Sequence, residues 1–155
     1  MKLINVFYLS CFLVISAALI FILNKKDDFS NISCSAKLKM KSLNEDTISH
    51  IYFNLALSKN NGWIKIKGDI KNGNDSSIIN RKVFFSYTQS KNTLNLNTNE
   101  IITYKSDNAK NEILENIFSY AYIYKDSNMD LSIYPQGDGG YFISSTEQHG
   151  VYCQP

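Results

Sequence analysis

Strict alternation of apolar and polar residues is the feature of this sequence that most narrows its fold. Ile32, Cys34, Ala36, Leu38 and Met40 point one way, and Ser33, Ser35, Lys37, Lys39 and Lys41 point the other. Successive side chains of a strand face opposite sides of a sheet. The pattern therefore predicts a half-buried strand with a lysine-lined outer face. Ile51, Phe53, Leu55 and Leu57 repeat the period, and Ile64, Ile66 and Ile70 alternate with Trp63, Lys65, Lys67 and Asp69. Lys59-Asn60-Asn61-Gly62 lies between those two runs, and Asn-Gly signals a tight turn, so residues 50–70 are expected to form a hairpin. Beyond the turn cluster Lys71–Ser77, strands are expected over Ile78–Gln89 and Thr93–Tyr104, linked as a meander that needs no crossover.

The period then changes. Ile113, Leu114, Ile117 and Phe118 fall on one face of a helix near Asn108–Ser119, with Asp107 placed to cap it. Tyr120, Tyr122 and Tyr124 alternate with Ala121 and Ile123, which suits a short strand. Met129–Tyr134 and Tyr141–Ser145 make a second hairpin around Pro135–Gly140, and Gly150–Cys153 closes the chain.

Leu3 to Leu23 holds no charged residue. Twenty-one helical residues span about 31 Å, the thickness of a bilayer's hydrocarbon core, so the run predicts a transmembrane anchor. Ser16-Ala17-Ala18 has the small residues of a signal-peptidase site, which leaves a cleaved leader as the alternative. The expected organisation is a tail and anchor over 1–23, a juxtamembrane linker over 24–31 and a β-rich domain over 32–155. The expected fold class is α+β: an N-terminal transmembrane helix, then a strand-rich antiparallel sheet or half-barrel with one helix.

Three cysteines are present. Cys11 lies in the apolar run, whereas Cys34 and Cys153 bracket the domain with 118 residues between them. No CxxC occurs, so zinc and thioredoxin-type chemistry lack support. A Cys34–Cys153 disulfide is expected, formed in an oxidising compartment such as the periplasm; two buried free thiols are the alternative. The disulfide would make the first and last elements neighbours. Together with the anchor it predicts a single-pass inner-membrane protein whose C-terminal domain lies in the periplasm.

Charge excludes some partners. Sixteen Lys plus Arg stand against 14 Asp plus Glu, a formal +2, and only Arg81 supplies a guanidinium. A nucleic-acid binder is not expected. Gly137-Asp138-Gly139-Gly140 is the one Gly-rich loop, but a strand rather than a helix follows it, so it reads as a hairpin turn and not as a phosphate cradle. His50 and His149 have no local ligand cluster or nucleophile motif beside them and read as surface residues. Glu45-Asp46 and Asp27-Asp28 sit in linkers, where solvation explains them. No catalytic residue, metal site or cofactor is expected, and the chain is not expected to be an enzyme. The late tyrosines Tyr134, Tyr141 and Tyr152, with Tyr120, Tyr122 and Tyr124, are explained by packing or by lining a lipocalin-like pocket for a small amphipathic molecule.

Tyr52-Phe53-Asn54-Leu55, Arg81-Lys82-Val83-Phe84-Phe85-Ser86-Tyr87, Gly140-Tyr141-Phe142-Ile143 and Val151-Tyr152-Cys153 resemble the FidL-like inner-membrane proteins of enteric bacteria. The resemblance implies a non-enzymatic accessory partner of a membrane-bound winged-helix transcription regulator of the ToxR or CadC kind, contacted through the periplasmic domain. It also carries an architectural analogy with ToxS and VtrC. No binding residue is carried over with it.

Overall fold

A computed structural model describes residues 14–16, 29–41, 47–146 and 150–155. Eight antiparallel strands follow one another in chain order within a single sheet. They are β1 (Ser33–Lys41), β2 (Thr47–Ser58), β3 (Asn61–Asn72), β4 (Asp75–Ser90), β5 (Thr93–Thr103), β6 (Asn128–Pro135), β7 (Tyr141–Ser145) and β8 (Val151–Cys153). Just past β8, Gln154 bridges back to Ser35 of β1. The sheet therefore curls into a nearly closed barrel.

The alternating pattern fixes which face turns inward. Ile51, Leu55, Ile64, Ile66, Leu94 and Ile133 are all 2% exposed or less, and each such burial stabilises the fold by about 1.5–3 kcal/mol. The barrel interior is thus the core, filled by one stripe from every long strand.

The β2–β3 turn falls one step before the expected Asn-Gly. Lys59 and Asn60 take positive φ of 38° and 59° and form the two-residue connection, while Gly62 is already in β3. A Cβ on Gly62 would stand 2.7 Å from Phe85 Cε2 and 2.8 Å from the Ala56 carbonyl oxygen. Glycine is needed there for close approach of the two neighbouring strands rather than for turning.

The α+β expectation is corrected to a nearly all-β domain. The helix expected over 108–119 shrinks to α1 (Asn111–Leu114), and Tyr120–Tyr122, expected as strand, is a turn of 3-10 helix. Asp107 does not cap α1, because its carboxylate is engaged by Arg81 and by the Asn80 amide. Asn108 is likewise tied to β4, its Oδ1 accepting from the Ile78 amide and its own amide donating to the Ile78 carbonyl. Pinned at 107–108, the chain has room for little more than one helical turn before Leu114 enters the core.

The expected transmembrane helix and single-pass inner-membrane placement are corrected as well. Among the described residues no helix is long and apolar enough to cross a membrane. Of the apolar run only Val14–Ser16 is described, as helix; the rest of 1–23, with Cys11, lies outside the described residues. Asp27-Asp28, Glu45-Asp46 and His149 lie outside them too.

Candidate functional site

Two places depart from the regular ladder. The first is the seam where β8 meets β1. Ser35 and Gln154 exchange backbone hydrogen bonds, with the Ser35 amide 2.6 Å from the Gln154 oxygen and the Gln154 amide 2.8 Å from the Ser35 oxygen. Beside them Cys34 and Cys153 form a disulfide with Cα atoms 5.4 Å apart. The two cysteines singled out in the sequence are thereby brought together, and the first and last strands are neighbours as expected.

The seam is short because β8 has only three residues. Ile32 accepts from Leu57, so the even-numbered residues of β1 bond to β2. By the alternation of an antiparallel ladder, the backbone groups of Ser35, Lys37, Lys39 and Lys41 then face the seam. Among the described residues only Ser35 finds a strand partner there. An open groove of about 470 Å³ runs along the outside, lined by Ser35, Lys37, Tyr52, Asn54, Tyr152 and Gln154.

The end of the seam is held by the β6–β7 turn, where the Gly-rich stretch lies. Asp138 Oδ1 accepts from the Gly140 amide, and Asp138 Oδ2 accepts from the Tyr152 hydroxyl of β8. The Tyr152 hydrogen bond first, and the Gly140 amide second, hold the Asp138 carboxyl below its ordinary range. The same hydrogen bond raises the Tyr152 phenol. Gly137–Gly140 is thus a hairpin turn that grips the last strand.

The second departure is the β5–β6 connection, residues 104–127, which crosses the barrel where β5 and β6 part. β6 pairs only with Thr93–Asn97 of β5. Beyond that, Thr98 binds the crossing segment: its amide donates to Ser127, its carbonyl accepts from Asp126, and its hydroxyl donates to Ala121 at 2.7 Å. Leu114, Phe118, Ala121, Tyr122 and Ile123 are the side chains this segment buries. Arg81 points into the barrel and forks onto Asp107, Nε to Oδ2 at 3.0 Å and Nη2 to Oδ1 at 3.2 Å, with both side chains under 5% exposed. The only guanidinium of the chain is therefore a buried tie between β4 and the crossover. Its isolation in the sequence was the signal that could have marked it.

The tyrosines split by position. Tyr122 packs edge-on against Phe53 and Phe118 at 6.3 and 6.2 Å. Tyr120 and Tyr124 instead stack on each other outside, 5.9 Å apart. The Tyr124 phenol is raised mainly by its hydrogen bond to Glu115. His50 lies on the outer wall 3.2 Å from Asp69 of β3, both about half exposed. Among the described residues no group of three or more His, Cys, Asp or Glu is placed to hold a metal ion. At the barrel mouth, Leu38, Met40, Phe53, Phe118, Tyr122 and Val151 surround a cavity of about 40 Å³.

These features define a small, nearly closed antiparallel β-barrel with a packed interior, a disulfide-closed seam and a plugging crossover. The chain belongs to the YqeJ C-terminal domain family, whose model matches residues 31–153 and so takes in all eight strands. No curated protein and no solved structure matches the chain. The family match does not bear on the FidL-like resemblance.

Proposed function

We propose that the domain is a non-enzymatic accessory protein that binds another protein at the seam edge of β1. Among the described residues the seam-facing backbone of Lys37 and Lys39 has no strand partner, and that edge beside a filled barrel carries this reading. An extended segment of a partner can add to such an edge through main-chain hydrogen bonds. The FidL-like resemblance supplies the kind of partner, a winged-helix regulator of the ToxR or CadC type. The lipocalin-like alternative finds less support, since a site for a small amphipathic molecule needs about 300–1,000 Å³ and the mouth cavity has about 40 Å³.

The test is cross-linking in intact cells and recovery of the tagged chain with its partners. Lys39→Pro removes an amide that faces the seam and leaves the β1–β2 ladder intact. Recovery of a winged-helix regulator with the wild-type chain, and its loss with folded Lys39→Pro, is the expected result. Recovery of the chain alone at equal cross-linking efficiency overturns the proposal.

A further inference from the structure

Independently of that reading, the outer wall of β1–β5 carries a feature that neither the core nor the seam requires. Lys82 Nζ sits 4.0 Å from the Trp63 ring centroid and 4.8 Å from that of Phe84. Lys65 Nζ lies 5.3 Å from the Tyr104 ring, and Lys37 Nζ lies 5.6 Å from the Tyr52 ring. Lys39 and Lys67 stand exposed beside them. Two carboxylates share this wall: Asp69, engaged by His50, and Glu100 opposite Phe84. Asp75 is exposed where β4 leaves the β3–β4 turn, whereas Glu112, Asp130 and Asp138 lie on the crossover and on β6–β7. Among the described residues the middle of this wall thus sets five lysines against Asp69 and Glu100.

The form of this patch narrows what it fits. The Lys82 ammonium covers the Trp63 and Phe84 rings, so those faces are not free to stack nucleobases. The lysines stand on β1, β3 and β4 of a convex wall, which presents charge in two dimensions rather than along one line. Lysines act as point charges with no fork for a single phosphate, which suits mobile anionic groups. Tyr52 and Tyr104, both exposed, lie at its margins with the amphipathic rings favoured at a membrane–water interface. We infer that this wall is a peripheral docking surface for a bilayer rich in anionic phospholipid.

Trp63 is the only tryptophan of the chain and lies within the patch, so its fluorescence reports contact of the wall rather than behaviour of the apolar N-terminal run. The full chain is titrated with phosphatidylglycerol–phosphatidylcholine vesicles doped with a headgroup-spin-labelled lipid. Quenching of Trp63 that raised salt reverses is expected, with little from phosphatidylcholine vesicles alone. Lys65→Gln with Lys82→Gln should weaken the anionic-vesicle affinity roughly 30-fold. The charge-matched pair Lys91→Gln with Lys125→Gln, off the wall, should change it far less. Equal quenching by neutral vesicles, an equal loss in the control pair, or a Trp63 response to soluble polyglutamate but not to vesicles each overturns the inference. The last result would assign the wall to an acidic protein instead.

Discussion

Arg81 and Asp107 show how much can depend on one pair of side chains. Both are nearly inaccessible, and each supplies the only formal charge opposing the other in the tie between β4 and the crossover. Removing one partner strands the other as a buried charge. Asp107→Ala is therefore expected to lower stability by about 3–5 kcal/mol, read from urea unfolding. Arg81→Met combined with Asp107→Leu should recover much of the loss, because the desolvation penalty disappears with the pair. The Asp138–Tyr152 contact is exposed and its effect is seen in pH dependence. Asp138 is depressed in the folded state, so its contribution is present above the ordinary carboxylate range and fades as pH falls through the depressed value. Tyr152 is raised, so its contribution is present below the ordinary phenol value and fades as pH rises through the raised one. In Tyr152→Phe the Asp138 carboxyl, followed by NMR, should titrate at higher pH than in the wild type.

Elements whose residues alternate against their immediate neighbours were legible in the sequence. β1, β2 and β3 run close to where period two places them, and their inward residues are the buried ones. Legibility failed where a distant contact chose the conformation. Tyr120–Tyr124 alternates as a strand would, yet Thr98, twenty-three residues away, binds the Ala121 carbonyl, and the Ser119 hydroxyl accepts from the Ala121 amide; the segment becomes 3-10 helix. Gly62 was read through the company of Asn61, whereas Phe85, a residue of the next strand, sets its requirement. Gly62→Ala is accordingly expected to destabilise by about 1–3 kcal/mol through overpacking, seen as a lower unfolding midpoint. Leu114, the residue through which α1 reaches the core, is fully buried, and Leu114→Ala should cost about 2–5 kcal/mol in the same measurement. The seam was legible only in half. Cys34 and Cys153 announced that the ends meet, but the free edge of β1 depends on how soon β8 stops, which no local pattern encodes.

At the scale of the whole molecule, nearly every strand contact among the described residues joins neighbours in sequence, and the β1–β8 seam is the one long-range closure between strands there. The disulfide there constrains a 119-residue separation in the unfolded chain. On the chain-entropy model that stabilises by about 4–5 kcal/mol. Cys153→Ser should lose most of it, with a lower melting temperature in oxidising buffer and no difference from wild type under reductant.

The meeting of Ser35 with Gln154 has one more consequence. A barrel whose strands follow chain order and whose first and last strands touch has no privileged point of entry. Cutting the chain at Gly73–Asn74, where Gly73 takes a positive φ of 57° in an open turn, and joining Gln154 through a short linker to Phe29, which is buried in the core, would give a circular permutant with the same strand order around the barrel. In that permutant Cys34 and Cys153 would sit within one short connection of each other along the chain. The same sulfur–sulfur bond would then close a trivial loop, and its entropic share of the stability would shrink while its packing stayed the same.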